Sequence, residues 1–138
     1  MKLKINNSLL VILLYLSIAG TTAYQKISGF GVPEWFQNKF SESIIGLIPF
    51  GIPTCFLIIT ILEASISVLM ILAIINKEYQ SESVKKYLEL GLDLSLLLFT
   101  ILVFGSFLVQ NYDNGALDFL YFIGTVYLKN KFVTANNR

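Results

Sequence analysis

Apolar and polar positions alternate in long blocks along this chain, and the blocks predict helices. The longest apolar block, residues 53–76, is interrupted near its middle by one carboxylate, Glu63. At 1.5 Å of rise per helical residue its length suits a bilayer core. Similar blocks predict helices over about 8–25 and 87–110, and a shorter one over about 116–131, which Lys129 and Lys131 can extend by snorkelling. Gly29, Gly31 and Pro33 break the first block. Residues 77–86, Lys-Glu-Tyr-Gln-Ser-Glu-Ser-Val-Lys-Lys, form the clearest turn, and 110–115, Gln-Asn-Tyr-Asp-Asn-Gly, a second polar turn. The pattern predicts an all-α membrane protein, a single transmembrane domain built as a four-transmembrane-helix up-down bundle.

Residues 26–52 are more than a plain connection. Pro33 suits the first position of a short helix. Trp35, Phe36 and Phe40 cluster on one side, with Glu34, Gln37, Asn38 and Lys39 among them. Aromatics mixed with charges suit the water–lipid boundary, so a short interfacial helical segment is expected between helices 1 and 2. Ser41 can cap another apolar turn before Pro49 and Pro53 redirect the chain. This segment reads either as a structural cap or as a lid or docking surface.

The N-terminus has two readings. A basic start, a short apolar run and the small residues 19–23 also describe a cleavable signal peptide. Against this, Ser17, Thr21, Tyr24 and Ser28 share one helical face past the would-be cut, and Ala19 with Ala23 forms a small-xxx-small pair that lets membrane helices approach. A retained first helix is expected.

Composition agrees with a bilayer. The chain is 55% hydrophobic with mean hydropathy +0.70, and only 14% charged, against about 25% in soluble domains. There is no His, which removes the usual haem and zinc ligand, and the lone Cys55 excludes an intrachain disulfide. Cys55 reads as a small buried hydrophobe. Redox chemistry by the chain's own side chains and intrinsic cofactors are not expected. Basic residues do not cluster with stacking aromatics, so nucleic acid is not an expected partner. With a cytoplasmic N-terminus, every basic residue except Lys26 and Lys39 falls inside, which predicts both termini cytoplasmic.

Candidate chemistry lies in polar seams. Glu63 shares its face with Thr60 and Ser67, Asp93 with Thr100, and Asp118 with Tyr121 and Thr125; the first helix adds Ser17, Thr21 and Tyr24. Four seams are expected to meet on the bundle axis. No Lys or Arg lies deep in a span, so Glu63 is expected to be a neutral acid that donates a hydrogen bond. The seams can be interhelical glue, a path for a proton or small solute, or the wall for a quinone or lipid held near the outer end by Tyr24, Trp35 and Tyr121.

The order of features resembles the DoxX-like family of small four-helix integral membrane proteins. A Gly-containing first helix leads to Lys26 just past its end. An aromatic linker follows at 31–40, then Glu63 with aliphatics at 61–72. A Gly-containing turn at 113–115 announces the aromatic start of the last helix. The basic residue usual at the start of the first helix is only approximated here by Lys4. The resemblance implies a bacterial cytoplasmic (inner) membrane location. It also implies a non-catalytic subunit or assembly factor of a quinone-linked or thiol-linked redox system, acting beside a redox-enzyme partner or as a homo-oligomer. A small carrier or channel, and an enzyme acting on a membrane-soluble substrate through Glu63, are the alternatives.

Overall fold

The computed structural model describes residues 6–80 and 83–133; Lys2, Lys4 and Arg138, used above for orientation, lie outside them. The described residues are all helical in their regular structure: α1 (Asn7–Ser28), α2 (Glu34–Phe40), α3 (Ile44–Leu47), α4 (Gly51–Ile75), α5 (Lys86–Leu108) and α6 (Tyr112–Phe132). Three of them, α1, α4 and α5, are long and apolar enough to cross a membrane. The fourth expected crossing falls on α6, which is 21 residues long but dilutes its apolar run with Asp113, Asp118, Lys129 and Lys131.

Local chemistry explains the boundaries. Asn6 caps α1, its side-chain oxygen accepting the N–H groups of Ser8 and Leu9. The helix runs on to Ser28, past the expected end near residue 25, so Lys26 lies inside its last turn rather than beyond it. A cation there complements the negative end of the helix dipole. Pro33 stands just before α2, where its carbonyl accepts the N–H groups of Phe36 and Gln37. α4 begins at Gly51, placing Pro53 in the first turn, where a missing N–H costs nothing.

α4 and α5 end in the same way. Lys77 and Gln110 adopt left-handed backbone, with φ of 55° and 57°. Around the first, Lys77 N–H reaches Ile74 O and Glu78 N–H reaches Ala73 O; around the second, Gln110 N–H reaches Phe107 O and Asn111 N–H reaches Ser106 O. Both are Schellman closures that satisfy orphan carbonyls. The polar turn expected over 110–115 shrinks to Gln110 and Asn111. The Asn111 side chain caps α6, and Gly115 lies buried inside that helix.

α1 packs along α4, α4 along α5, and α5 along α6. Ile12, Ile66, Met70, Leu88 and Leu92 are wholly buried where these helices meet. Ala19 and Ala23 are both buried, as the small-xxx-small reading expects. Gly91 lets α5 approach α4, since a Cβ there would come within 2.6 Å of Met70 Cε. α6 meets α1 through a hydroxyl pair, Tyr15 with Thr125. Outward faces carry exposed Leu14, Ile18, Ile58, Ile61, Ile71 and Leu97. Apolar residues on the outside as well as the inside suit lipid better than water.

The end where α1 begins, α4 ends, α5 begins and α6 ends is termed the inner end. Asn6 Nδ2 donates to Tyr79 O at 2.7 Å there. Lys85 Nζ donates to Phe132 O at 2.9 Å and Ser8 Oγ at 3.2 Å. Buried Glu78 accepts the N–H groups of Tyr87 at 2.9 Å and Leu88 at 2.8 Å, capping α5 from the preceding loop. At the opposite, outer end α1 stops short of α4, because Lys26 in its last turn pairs with Glu63 at the middle of α4. α2 takes its place. Phe36 and Phe40 are buried, and Phe36 lies edge-on to Phe56 of α4 with ring centroids 5.2 Å apart. Trp35 leaves that cluster for the surface, although its ring still touches Phe36 edge-on.

Candidate functional site

Glu63 is 5% exposed, and its surroundings overturn two expectations. Lys26 Nζ donates to Glu63 Oε1 at 2.6 Å, so a cation does reach this carboxylate. Glu63 therefore accepts from a lysine through Oε1 and has no partner at Oε2 among the described residues, in place of the expected hydrogen-bond donor without a deep basic neighbour. The lysine stem is long enough to carry a charge from the last turn of α1 down to the middle of α4. Phe56 flanks the ammonium, its ring centroid 5.9 Å from Nζ.

The other oxygen, Glu63 Oε2, is buried and has no hydrogen-bond partner among the described residues. The hydroxyls on its own face do not serve it. Thr60 Oγ1 donates to Phe56 O, and Ser67 Oγ donates to the backbone carbonyl of Glu63. Such bonds to the preceding turn are the usual fate of helical Ser and Thr in an apolar setting. Thr60 and Ser67 hold the seam expected of them but line neither of the cavities described next.

Two cavities adjoin, one around mid-depth and one toward the outer end. The inner one, of about 600 Å³, lies among α1, α4, α5 and α6. Glu63 stands on its wall with Tyr15, Ile66, Leu98, Phe99, Asp118 and Tyr121. The outer one, of about 490 Å³, lies beneath α2 and is lined by Lys26, Trp35, Phe36, Lys39, Cys55 and Asn114, among others. Leu102, Asp118 and Tyr121 belong to both walls, so the two spaces meet at these residues. Cys55 is half-buried on the outer wall, less enclosed than expected.

Asp118 is half-buried and accepts a hydrogen bond from Ser106 Oγ at 3.3 Å. Lys39 on α2 lies within electrostatic reach of it. Tyr121 stacks at a tilt on Phe99, with centroids 5.7 Å apart. Thr125 Oγ1 donates to Tyr121 O, so the proton in the Tyr15–Thr125 contact comes from Tyr15.

The remaining seams point elsewhere. Ser17, Thr21 and Tyr24 are exposed, and Ser17, Thr21 and Ser28 donate to carbonyls of their own helix. The buried face of α1 carries Tyr15, Ala19 and Ala23 instead. Tyr24 is 73% exposed and touches neither cavity. Asp93 does not join Glu63 either. It is half-exposed and pairs with Lys129, which also lies 3.9 Å from Glu89. Thr100 is exposed and donates to Leu96 O. The four seams do not converge; the structure brings together Lys26, Glu63, Asp118 and Tyr121, with Trp35 at the margin.

Tyr15, Lys39, Ser106, Glu78 and Lys85 were not singled out by the sequence reading. Tyr15 was concealed by an aliphatic run, and the only signal was its spacing from Ala19 and Ala23. Burial pushes the Lys85 ammonium below its ordinary value, and the Glu78 charge opposes that shift. Among the described residues no cluster of His, Cys, Asp and Glu could hold a metal ion. No family model, curated protein or solved structure matches the chain.

Proposed function

We propose that this chain is an integral membrane protein that crosses the bilayer four times and holds an amphiphilic small molecule, of quinone or lipid type, in the joined cavities. The observation that carries the reading is the pair of adjoining spaces of about 490 and 600 Å³ with aliphatic and aromatic walls and few polar anchors. Such walls suit a ligand with a long apolar body and one polar head.

α6 is the fourth crossing on this reading. It packs along α5, and its length of about 30 Å at helical rise suits a bilayer core. Its charges sit near its ends or against partners, Lys129 on Asp93 and Asp118 on Ser106. Lys77, Lys85, Lys86, Lys129 and Lys131 gather at the inner end, which favours a cytoplasmic inner end and cytoplasmic termini. The protein then serves as a non-catalytic subunit or assembly factor of a quinone-linked or thiol-linked redox system in a bacterial cytoplasmic membrane. That last step rests on the resemblance to the DoxX-like family.

The full chain, purified in lipid nanodiscs, tests the proposal by organic extraction and mass spectrometry. A near-stoichiometric amphiphile, enriched over bulk lipid and lost in Leu102→Trp, is the expected result. Bulk lipid alone, unchanged by that substitution, overturns it. A second reading, proton or solute carriage, is favoured by one observation: Glu63 and Asp118 stand on the wall of the same cavity. Flux in liposomes that Asp118→Asn abolishes would establish it.

A further inference from the structure

Resting on that reading, we infer that the alkyl tail of the bound molecule lies in a groove between α1 and α6 that is open to the surrounding lipid, so that the molecule enters sideways from the bilayer. A closed four-helix ring brings its first and last helices together. Here α1 packs along α4 and α6 along α5, but α1 and α6 do not pack along each other. The inner cavity is walled by both of these helices and is not enclosed. Leu14 and Ile18 of α1 and Leu120 and Tyr121 of α6 stand on its wall, yet they are also exposed, at 50%, 47%, 61% and 55%. Gly124, one turn along α6 from Leu120, shares the wall, and a Cβ there would meet nothing within 4 Å.

The chemistry of the groove selects its occupant. These residues lie near the middle of α1 and α6, at the depth of acyl chains on the four-crossing reading. Inward of Asp118 the two helices bring no charge to the wall, and the Thr22 hydroxyl donates to Ile18 O. Buried Ile66 and Leu98 lie behind them. A polar or charged group finds little to bond with in such a trough, whereas a hydrocarbon chain needs no partner. A helix from a second copy does not fit. The Tyr15–Thr125 bond holds α1 and α6 within hydroxyl reach, and a helix is about 10 Å across. A single alkyl chain is thinner and bends around that tie.

The test uses the full chain in phosphatidylcholine nanodiscs, with decyl-1,4-benzoquinone carrying a diazirine at the end of its alkyl chain. Illumination should place saturable adducts on both walls of the groove, within residues 14–22 and 120–128. Gly124→Leu adds bulk where the structure leaves space, and the yield of these adducts should fall at least about fivefold. Ile18→Trp on the facing wall should act in the same way. Adducts that neither substitution lowers overturn the inference, because any outward face would then serve as well. Saturable adducts confined to the outer cavity, at Trp35, Lys39 or Cys55, also overturn it and leave the cavity reading standing. Two copies joined through α1 and α6, with saturable adducts elsewhere, assign the groove to a second copy and overturn the inference alone. Adducts that never saturate, on Ile61 and Val68 of α4 as much as on α6, overturn both.

Discussion

Two buried carboxylates divide this molecule into two regimes. At the inner end Glu78 uses both oxygens, one on Tyr87 N–H and one on Leu88 N–H, and Lys85 nearby donates to Phe132 O and Ser8 Oγ. At mid-depth Glu63 uses one oxygen on Lys26 and leaves the other buried and unmatched among the described residues. A polar group whose valences are filled by the protein ties elements together. One left half-filled carries an unfavourable desolvation term that the surrounding packing must offset. The two carboxylates are alike in burial and differ in the tally of their hydrogen bonds.

The largest effect should come from breaking the half-filled pair. Lys26→Met strands Glu63 without a cation, and a loss of about 3–5 kcal/mol in reversible denaturation is expected. The double substitution Lys26→Met with Glu63→Leu should recover most of that loss. If the double variant is no more stable than the single one, the ion pair is not what Lys26 contributes. Glu78→Ala comes next, removing two charge-assisted hydrogen bonds at the start of α5, for about 3 kcal/mol. It should leave binding of amphiphiles by the fraction that folds unaltered, and altered binding would erase the distinction between the two regimes.

Smaller effects sharpen the contrast. Tyr15→Phe loses the hydroxyl contact between α1 and α6 while Thr125 keeps its bond to Tyr121 O, so about 1 kcal/mol is expected by the same measurement. The smallest effect is a pH slope. Lys85 has a folded pKa below its unfolded value of 10.5. Between the two values the unfolded chain binds more protons, so stability rises with pH across that window. Below the window the burden of burying the ammonium is felt in full. Lys85→Met should remove this slope from thermal midpoints measured at pH 8 and above, and an unchanged slope would assign it to other groups.

Much of this was legible in the sequence. Runs of apolar residues gave α1, α4 and α5 to within a few residues, because length and composition decide what can span lipid. The rotation of α1 was not legible. Polarity points to Ser17, Thr21 and Tyr24 as the inward face, yet a helical hydroxyl can satisfy itself on its own backbone and turn outward. Polarity therefore misled where small residues, Ala19 and Ala23, gave the true inward side. Glu63 stood out at once, because a lone acid in an apolar run is rare. The pairing did not. Lys26 enters as a candidate only through the resemblance, and the reach of its side chain to Glu63 is invisible in spacing. Glu78 and Lys85 resembled ordinary loop charges, and only the Schellman closure at Lys77, which carries no glycine to announce it, turns Glu78 back under α5.

That turned-back carboxylate has a bearing on how the chain assembles. The clasp between the end of α4 and the start of α5 spans about ten positions and draws its atoms only from residues 78, 87 and 88. Neither terminal helix lends it anything. A nascent chain can therefore latch its central hairpin while α6 is still unsynthesised, giving the last helix a finished surface on which to settle.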